Sequence, residues 1–166
     1  MKMFFRRISA ELCYLPAVPA LITAIVCLVL GIVVAVSGNG YGVFLPRTVF
    51  SVVFMGIFWG IFYTVIGFAF GCFLFSGDCR ANRYRDQTAI LFLCTLIISY
   101  TWTAVVYKAG NFFLGLLIAF SLVACLLTLF LVLRNTCLLS AILALSGNIW
   151  IFYVIYYTFS LMFFHL

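Results

Sequence analysis

Acidic residues are almost missing. Three Asp and Glu stand against nine Lys and Arg, and charged residues of both signs make up 7% of 166 positions. A water-soluble domain carries about 25%. So few charges cannot coat a soluble surface, which excludes a soluble enzyme, a nucleic-acid binder and a disordered chain. The net charge of +6 is not a nucleic-acid footprint, because the basic residues sit in short connections between apolar runs rather than on one surface. Histidine is limited to His165, the penultimate residue, and the seven cysteines contain no C-x-x-C pair. A zinc site or a Cys/His nucleophile has no materials here, and no cofactor or metal is expected. Cys13, Cys27, Cys72, Cys94, Cys125 and Cys137 read as small hydrophobes in or beside apolar runs. Cys79 is the loop cysteine, open to an incidental thiol or to a redox or cross-linking role.

What the chain has in excess is apolar surface. AVILMFWYC residues reach 68% and the mean hydropathy is +1.35. A membrane helix needs about 20 apolar residues, and five runs qualify: Leu15–Val36, Thr48–Phe75, Thr88–Tyr107, Phe112–Leu133 and Cys137–Phe163. The expected fold is a single all-α domain over 1–166, an integral membrane bundle of five transmembrane helices. The second and fifth runs exceed the bilayer and should tilt or project. The last two connections are so short that helices three, four and five must be antiparallel neighbours.

The basic residues orient the bundle. Lys2, Arg6, Arg7, Arg80, Arg83, Arg85 and Arg134 fall on one side, and only Arg47 and Lys108 on the other. The positive-inside rule places the N-terminus in the cytoplasm and the C-terminus outside. The first run has the basic start and small-residue end of a signal peptide, but its apolar stretch is longer than an h-region of about 7–15 residues. Pro16 and Pro19 fall in its first turns, where missing N–H groups cost least.

No Asp, Glu, Lys, Arg or His lies in the core of any run. Proton relays and ion pathways need such groups, and a channel needs rings of charge or carbonyls. Energised transport is therefore disfavoured. A protein that binds, carries or senses an apolar ligand remains, or a structural subunit.

On a helical wheel, Trp59, Tyr63, Gly56, Gly60, Gly67 and Gly71 share an arc of roughly 120°. Gly56/Gly60 and Gly67/Gly71 form two G-x-x-x-G pairs, which let helix backbones approach closely. The arc reads either as a packing seam throughout, within the bundle or across a homodimer, or as glycines that pack while Trp59 and Tyr63 line a cavity. The string Trp59-Gly60-Ile61-Phe62-Tyr63-Thr64-Val65-Ile66-Gly67 resembles the W-G/T-x-L-Y-x-x-M-G signature of the TspO/MBR family. These are the translocator proteins, also called tryptophan-rich sensory proteins or peripheral benzodiazepine receptors. The resemblance continues in the third helix, where Ser99 and Trp102 align with L-N-x-x-W. In the fifth, Trp150 and Tyr153 align with P-Y-x-x-W-x-x-F. All three tryptophans of the chain fall on family tryptophan positions. Departures are Ser99 in place of Asn, the loss of Pro-Tyr and the final Asn in the fifth helix, and a K-P-x-x-x-P-P segment reduced to Pro46. No basic residue follows the fifth helix, so the cholesterol motif is absent.

The resemblance implies a five-helix receptor, sensor or transport protein of, by expectation, the bacterial plasma membrane. It implies binding of porphyrin or a similar apolar aromatic molecule between the helices. Residue by residue, the implied site is Trp59, Tyr63, Ser99, Trp102, Trp150, Tyr153 and Val154. The family's loop Trp-Tyr pair falls on Asn39-Gly40, which leaves Tyr41 as the lid candidate. Wheel positions put Ser99, Trp102, Thr95 and Val106 on one face of helix three, and Ser146, Trp150, Tyr153, Val154 and Tyr157 on one face of helix five. Large rings with a few hydroxyls suit a planar apolar ligand; packing as bundle core is the competing reading. A porphyrin-degrading enzyme is an alternative that these spans equip with no acid, base or metal ligand, and a structural membrane subunit without a small ligand is another. Nucleic acid is not an expected partner; the lipid bilayer is.

The charge asymmetry yields a direct expectation. A C-terminal reporter active only in the cytoplasm should be silent, and one active only outside should be bright; the reverse pattern refutes the assigned orientation.

Overall fold

A computed structural model describes residues 17–38, 52–75, 85–135 and 137–164. Five helices follow in order: α1 Ala17–Gly38, α2 Val52–Phe75, α3 Arg85–Thr103, α4 Phe112–Leu133 and α5 Leu138–Phe164. Hydrocarbon offers no hydrogen bonds to a bare backbone, so an apolar chain crossing it must satisfy every N–H and C=O within the helix. Four spans are long and apolar enough to cross a membrane: Gly56–Phe75, Arg85–Lys108, Phe112–Leu133 and Leu138–Phe163. The remaining helix, α1, runs 22 residues and is apolar over Ala17–Val33. The protein is an all-α integral membrane bundle. Its outer faces carry Ile25, Ile97, Leu117, Ile149 and Phe152, each more than a third exposed, as lipid contact requires. Tyr41, Arg47, Cys79 and the proline-derived segment at Pro46 lie outside the described residues. Cys27, Cys94 and Cys125 are free thiols, and Cys137 is disulfide-bonded.

The short connections dictate neighbours. Asn111 caps α4, its side chain accepting from the Leu114 N–H at 3.0 Å, and Gly110 turns the chain at φ 63°. As the connection lengths require, α3 packs on α4 and α4 on α5. The ring closes through α5 against α2 and α2 against α1, while α3 touches α1 and α2 only lightly. The α4 stripe Gly115, Ala119, Leu122, Leu126, Leu129 and Leu133 is buried along its whole length.

The α1–α2 seam is built from small residues. Ala20, Ala24 and Cys27 of α1 are buried, and Gly31 continues the same stripe. Facing them, a Cβ on Gly67 would lie 2.8 Å from Cys27 Cβ and 2.9 Å from Ala24 Cα. One on Gly71 would lie 2.5 Å from Ala20 Cα and run into Thr23 Oγ1. The backbones approach so closely that the Thr23 hydroxyl stands 3.0 Å from the Gly67 carbonyl, while bonding its own Ala20 carbonyl at 2.8 Å. The seam does not extend to the first glycine pair. A Cβ on Gly60 would make ordinary contact with Leu28 at 3.4 Å, and one on Gly56 meets nothing within 4 Å. The wheel placed all four glycines on one arc, but among the described residues only Gly67 and Gly71 are pressed against α1, and Gly56 is exposed.

Gly71→Leu should therefore lower the thermal unfolding temperature in detergent, an overpacking cost of about 1–3 kcal/mol or more. Gly56→Leu should stay within about 0.5 kcal/mol of the parent. Equal melting curves for the two variants would contradict the seam.

Candidate functional site

The three tryptophans, from α2, α3 and α5, converge. Trp59 and Trp102 ring centroids lie 5.3 Å apart, and Trp59 meets Trp150 edge-on at 6.0 Å. Trp102 is completely buried and Trp59 nearly so, while Trp150 is half-buried. Around them sit further rings. Tyr63 stacks on Trp59 at 5.4 Å and Tyr153 on Trp150 at 5.2 Å. Phe58 stacks on the other side of Trp150 at 4.9 Å. Spacing explains the α2 contribution: Trp59, Phe62, Tyr63 and Ile66 recur at the three- and four-residue steps of one helix face and are all buried.

The remaining implied residues fall as follows. Ser99 is fully buried, and its hydroxyl donates to the Leu96 carbonyl at 2.7 Å. The Tyr63 hydroxyl faces Ser99 and Thr103 of α3. Thr95 is buried too and turns its hydroxyl back to Leu91 O at 2.8 Å. Val154 is fully buried in the core, and Ser146 is exposed.

Several contributors had no signal in the sequence. Gly31 is one: a Cβ there would collide with the Tyr63 ring, so the bare glycine on α1 decides where that ring lies. A second is the end of α3. Ala104–Lys108 widens into a π-helical turn, with Ala109 N–H donating five residues back to Ala104 O at 3.1 Å. The wider step turns Tyr107 back to the Trp102 side. Their rings meet edge-on at 5.8 Å, and the Tyr107 hydroxyl lies 3.2 Å from that of buried Tyr157. Such π turns recur at functional sites. A third is Tyr100, whose ring lies 4.8 Å from Tyr63 and whose hydroxyl donates to the Cys27 carbonyl of α1 at 3.1 Å.

Space next to the rings is limited. A groove of about 90 Å³ runs between α2 and α5, lined by Phe58, Phe62, Ser146, Gly147 and Trp150 among others. Sites for drug-sized ligands enclose about 300–1,000 Å³, so the groove is too small to enclose such a molecule. Polar valence is left over in the same region. Among the described residues, the indole nitrogens of Trp59, Trp102 and Trp150 and both amide atoms of Asn148 are buried without a hydrogen-bond partner. No group of three His, Cys, Asp or Glu among the described residues is placed to hold a metal. In comparisons with known proteins, no family model matches the chain, and no curated protein matches it significantly.

Proposed function

We propose that this protein binds a flat, apolar aromatic ligand of the tetrapyrrole class among Trp59, Trp102 and Trp150, as a divergent member of the TspO/MBR family. One observation carries the reading: the only three tryptophans in the chain come from three different helices and meet around one centre. Tryptophan is large, and its N–H loses water when buried. Three such rings brought together inside a lipid-solvated bundle, each with its N–H unspent, are costly as mere filler, because aliphatic side chains fill space without that cost. Stacking faces are what a planar π-system requires. The absence of intramembrane charge among the described spans fits a receptor or carrier for an uncharged or weakly polar guest, in a plasma membrane with the N-terminus cytoplasmic.

Titrating a porphyrin, either protoporphyrin or its dimethyl ester, into the purified protein should quench tryptophan fluorescence saturably. Stacking on one aromatic side chain is worth about 1–3 kcal/mol. Trp59→Ala and Trp150→Ala should each weaken binding by about tenfold to a hundredfold. Parent affinity in both variants would remove the ligand from this site, and no quenching in the parent would end the reading.

Trp102→Ala should behave differently. The residue is fully enclosed, and truncating such a ring costs about 3–5 kcal/mol. Its first effect should be a drop in thermal stability, measured without ligand. An unchanged melting temperature would show that Trp102 is not part of the core.

A further inference from the structure

Resting on that reading, we infer that the bound molecule is uncharged and that its polar atoms are hydrogen-bond acceptors, in the manner of a polycyclic quinone or an esterified tetrapyrrole. The inference comes from what the interior has already used and what it has not. Four buried hydroxyls have given their protons to helix carbonyls: Thr95 to Leu91, Ser99 to Leu96, Ser140 to Ala69 and Thr158 to Val154, at 2.7–2.9 Å. What remains beside the rings is the N–H of Trp59, Trp102 and Trp150. An indole nitrogen is a donor only. Asn148 retains an acceptor and a donor, but it stands two residues before Trp150, about 200° around α5. It shares the stripe of Ala141, Ala144 and Ile151, all buried. Beside the rings, the groups left without a partner are thus donors.

Charge points the same way. Among the described residues the ionic side chains are Arg85, Asp86, Lys108 and Arg134, all at helix ends. Arg85 is engaged with the Leu74 carbonyl at 3.2 Å. A carboxylate carried into the ring cluster would lose its hydration and meet no cation there, whereas a carbonyl or ester oxygen loses little and gains an N–H. A guest that offers only N–H or O–H donors would leave the three indole N–H groups unanswered.

Anthraquinone and anthracene isolate this difference, since they share a three-ring plane and differ by two carbonyls. Their dissociation constants are measured by tryptophan quenching in the same detergent. They are measured for the parent and for protein in which all three tryptophans are replaced biosynthetically by benzothienylalanine, which keeps the ring shape and lacks the N–H. For the replaced protein, binding is followed by ligand fluorescence and calorimetry. Comparing the two proteins cancels partition of each ligand into micelles. The parent should prefer anthraquinone by about tenfold or more, with a downshifted quinone carbonyl stretch in the infrared. The replaced protein should hold both ligands to within about twofold. Trp59→Phe and Trp150→Phe, made singly, should each reduce the preference.

Equal binding of the two ligands by the parent overturns the acceptor inference and leaves the aromatic site standing. A preference that survives benzothienylalanine replacement overturns it as well. If the parent binds neither ligand yet is quenched by protoporphyrin, the inference falls alone. If protoporphyrin and its dimethyl ester also fail, the inference and the proposed function fall together.

Discussion

In hydrocarbon, a polar group has no solvent to turn to. Every backbone N–H and C=O must be answered inside the chain, and helices gain nothing from hiding apolar side chains from lipid tails that are equally apolar. The architecture follows from that constraint. Hydroxyls fold back onto their own helix carbonyls, as Thr95, Ser99 and Thr158 do. Helix pairs are held by close surfaces and not by hydrophobic burial, which is why the tightest seam, α1 against α2, is also the one with the smallest residues.

Two kinds of packing divide the bundle between them. At Ala20, Ala24, Cys27, Gly67 and Gly71 the backbones themselves are in contact, and side chains have no room. Toward the centre, α2 changes character within two turns. Tyr63, Phe62 and Trp59 replace the glycines, and the helices are held apart by rings. Gly31 sits at the change-over, because its missing Cβ is what admits the Tyr63 ring. The same exchange occurs on α4, where a Cβ on Gly115 would run into Val106 and lie 3.7 Å from the Trp102 indole nitrogen. Small residues on α1 and α4 thus set the positions of large ones on α2 and α3. The aromatic centre is a product of the seams around it.

The unspent indole N–H groups are where the governing constraint is broken. A bundle that turns its hydroxyls back onto carbonyls, yet buries three indole donors unpaired, departs from its own rule around the tryptophans. That place is also where residues from three helices meet. Local violations of otherwise consistent chemistry mark functional regions more often than random defects. Asn148 is a separate violation, on the far side of α5 from Trp150 and on the stripe of buried Ala141, Ala144 and Ile151.

The sequence by itself determined the class of solvent, the five helices and their bounds to within a few residues, and which helices neighbour each other through short connections. Those follow from composition, run length and loop length, all local properties. It also singled out the three tryptophans, through their register in the Trp59–Gly67 string and its counterparts in the third and fifth helices, although register places a residue on a face and does not say what the face meets. Only the tertiary structure decided that Gly67 and Gly71 are pressed against α1 while Gly56 is open, because wheel position is shared along a helix but a crossing partner is not. Only the tertiary structure brought Tyr107 to Trp102, because the π turn packs against α4 and α1, contacts that no local pattern encodes. The partners of buried polar atoms belong to the same category. A hydroxyl finds its carbonyl one turn away, within reach of sequence reasoning, whereas an indole N–H depends on whichever helix arrives opposite it.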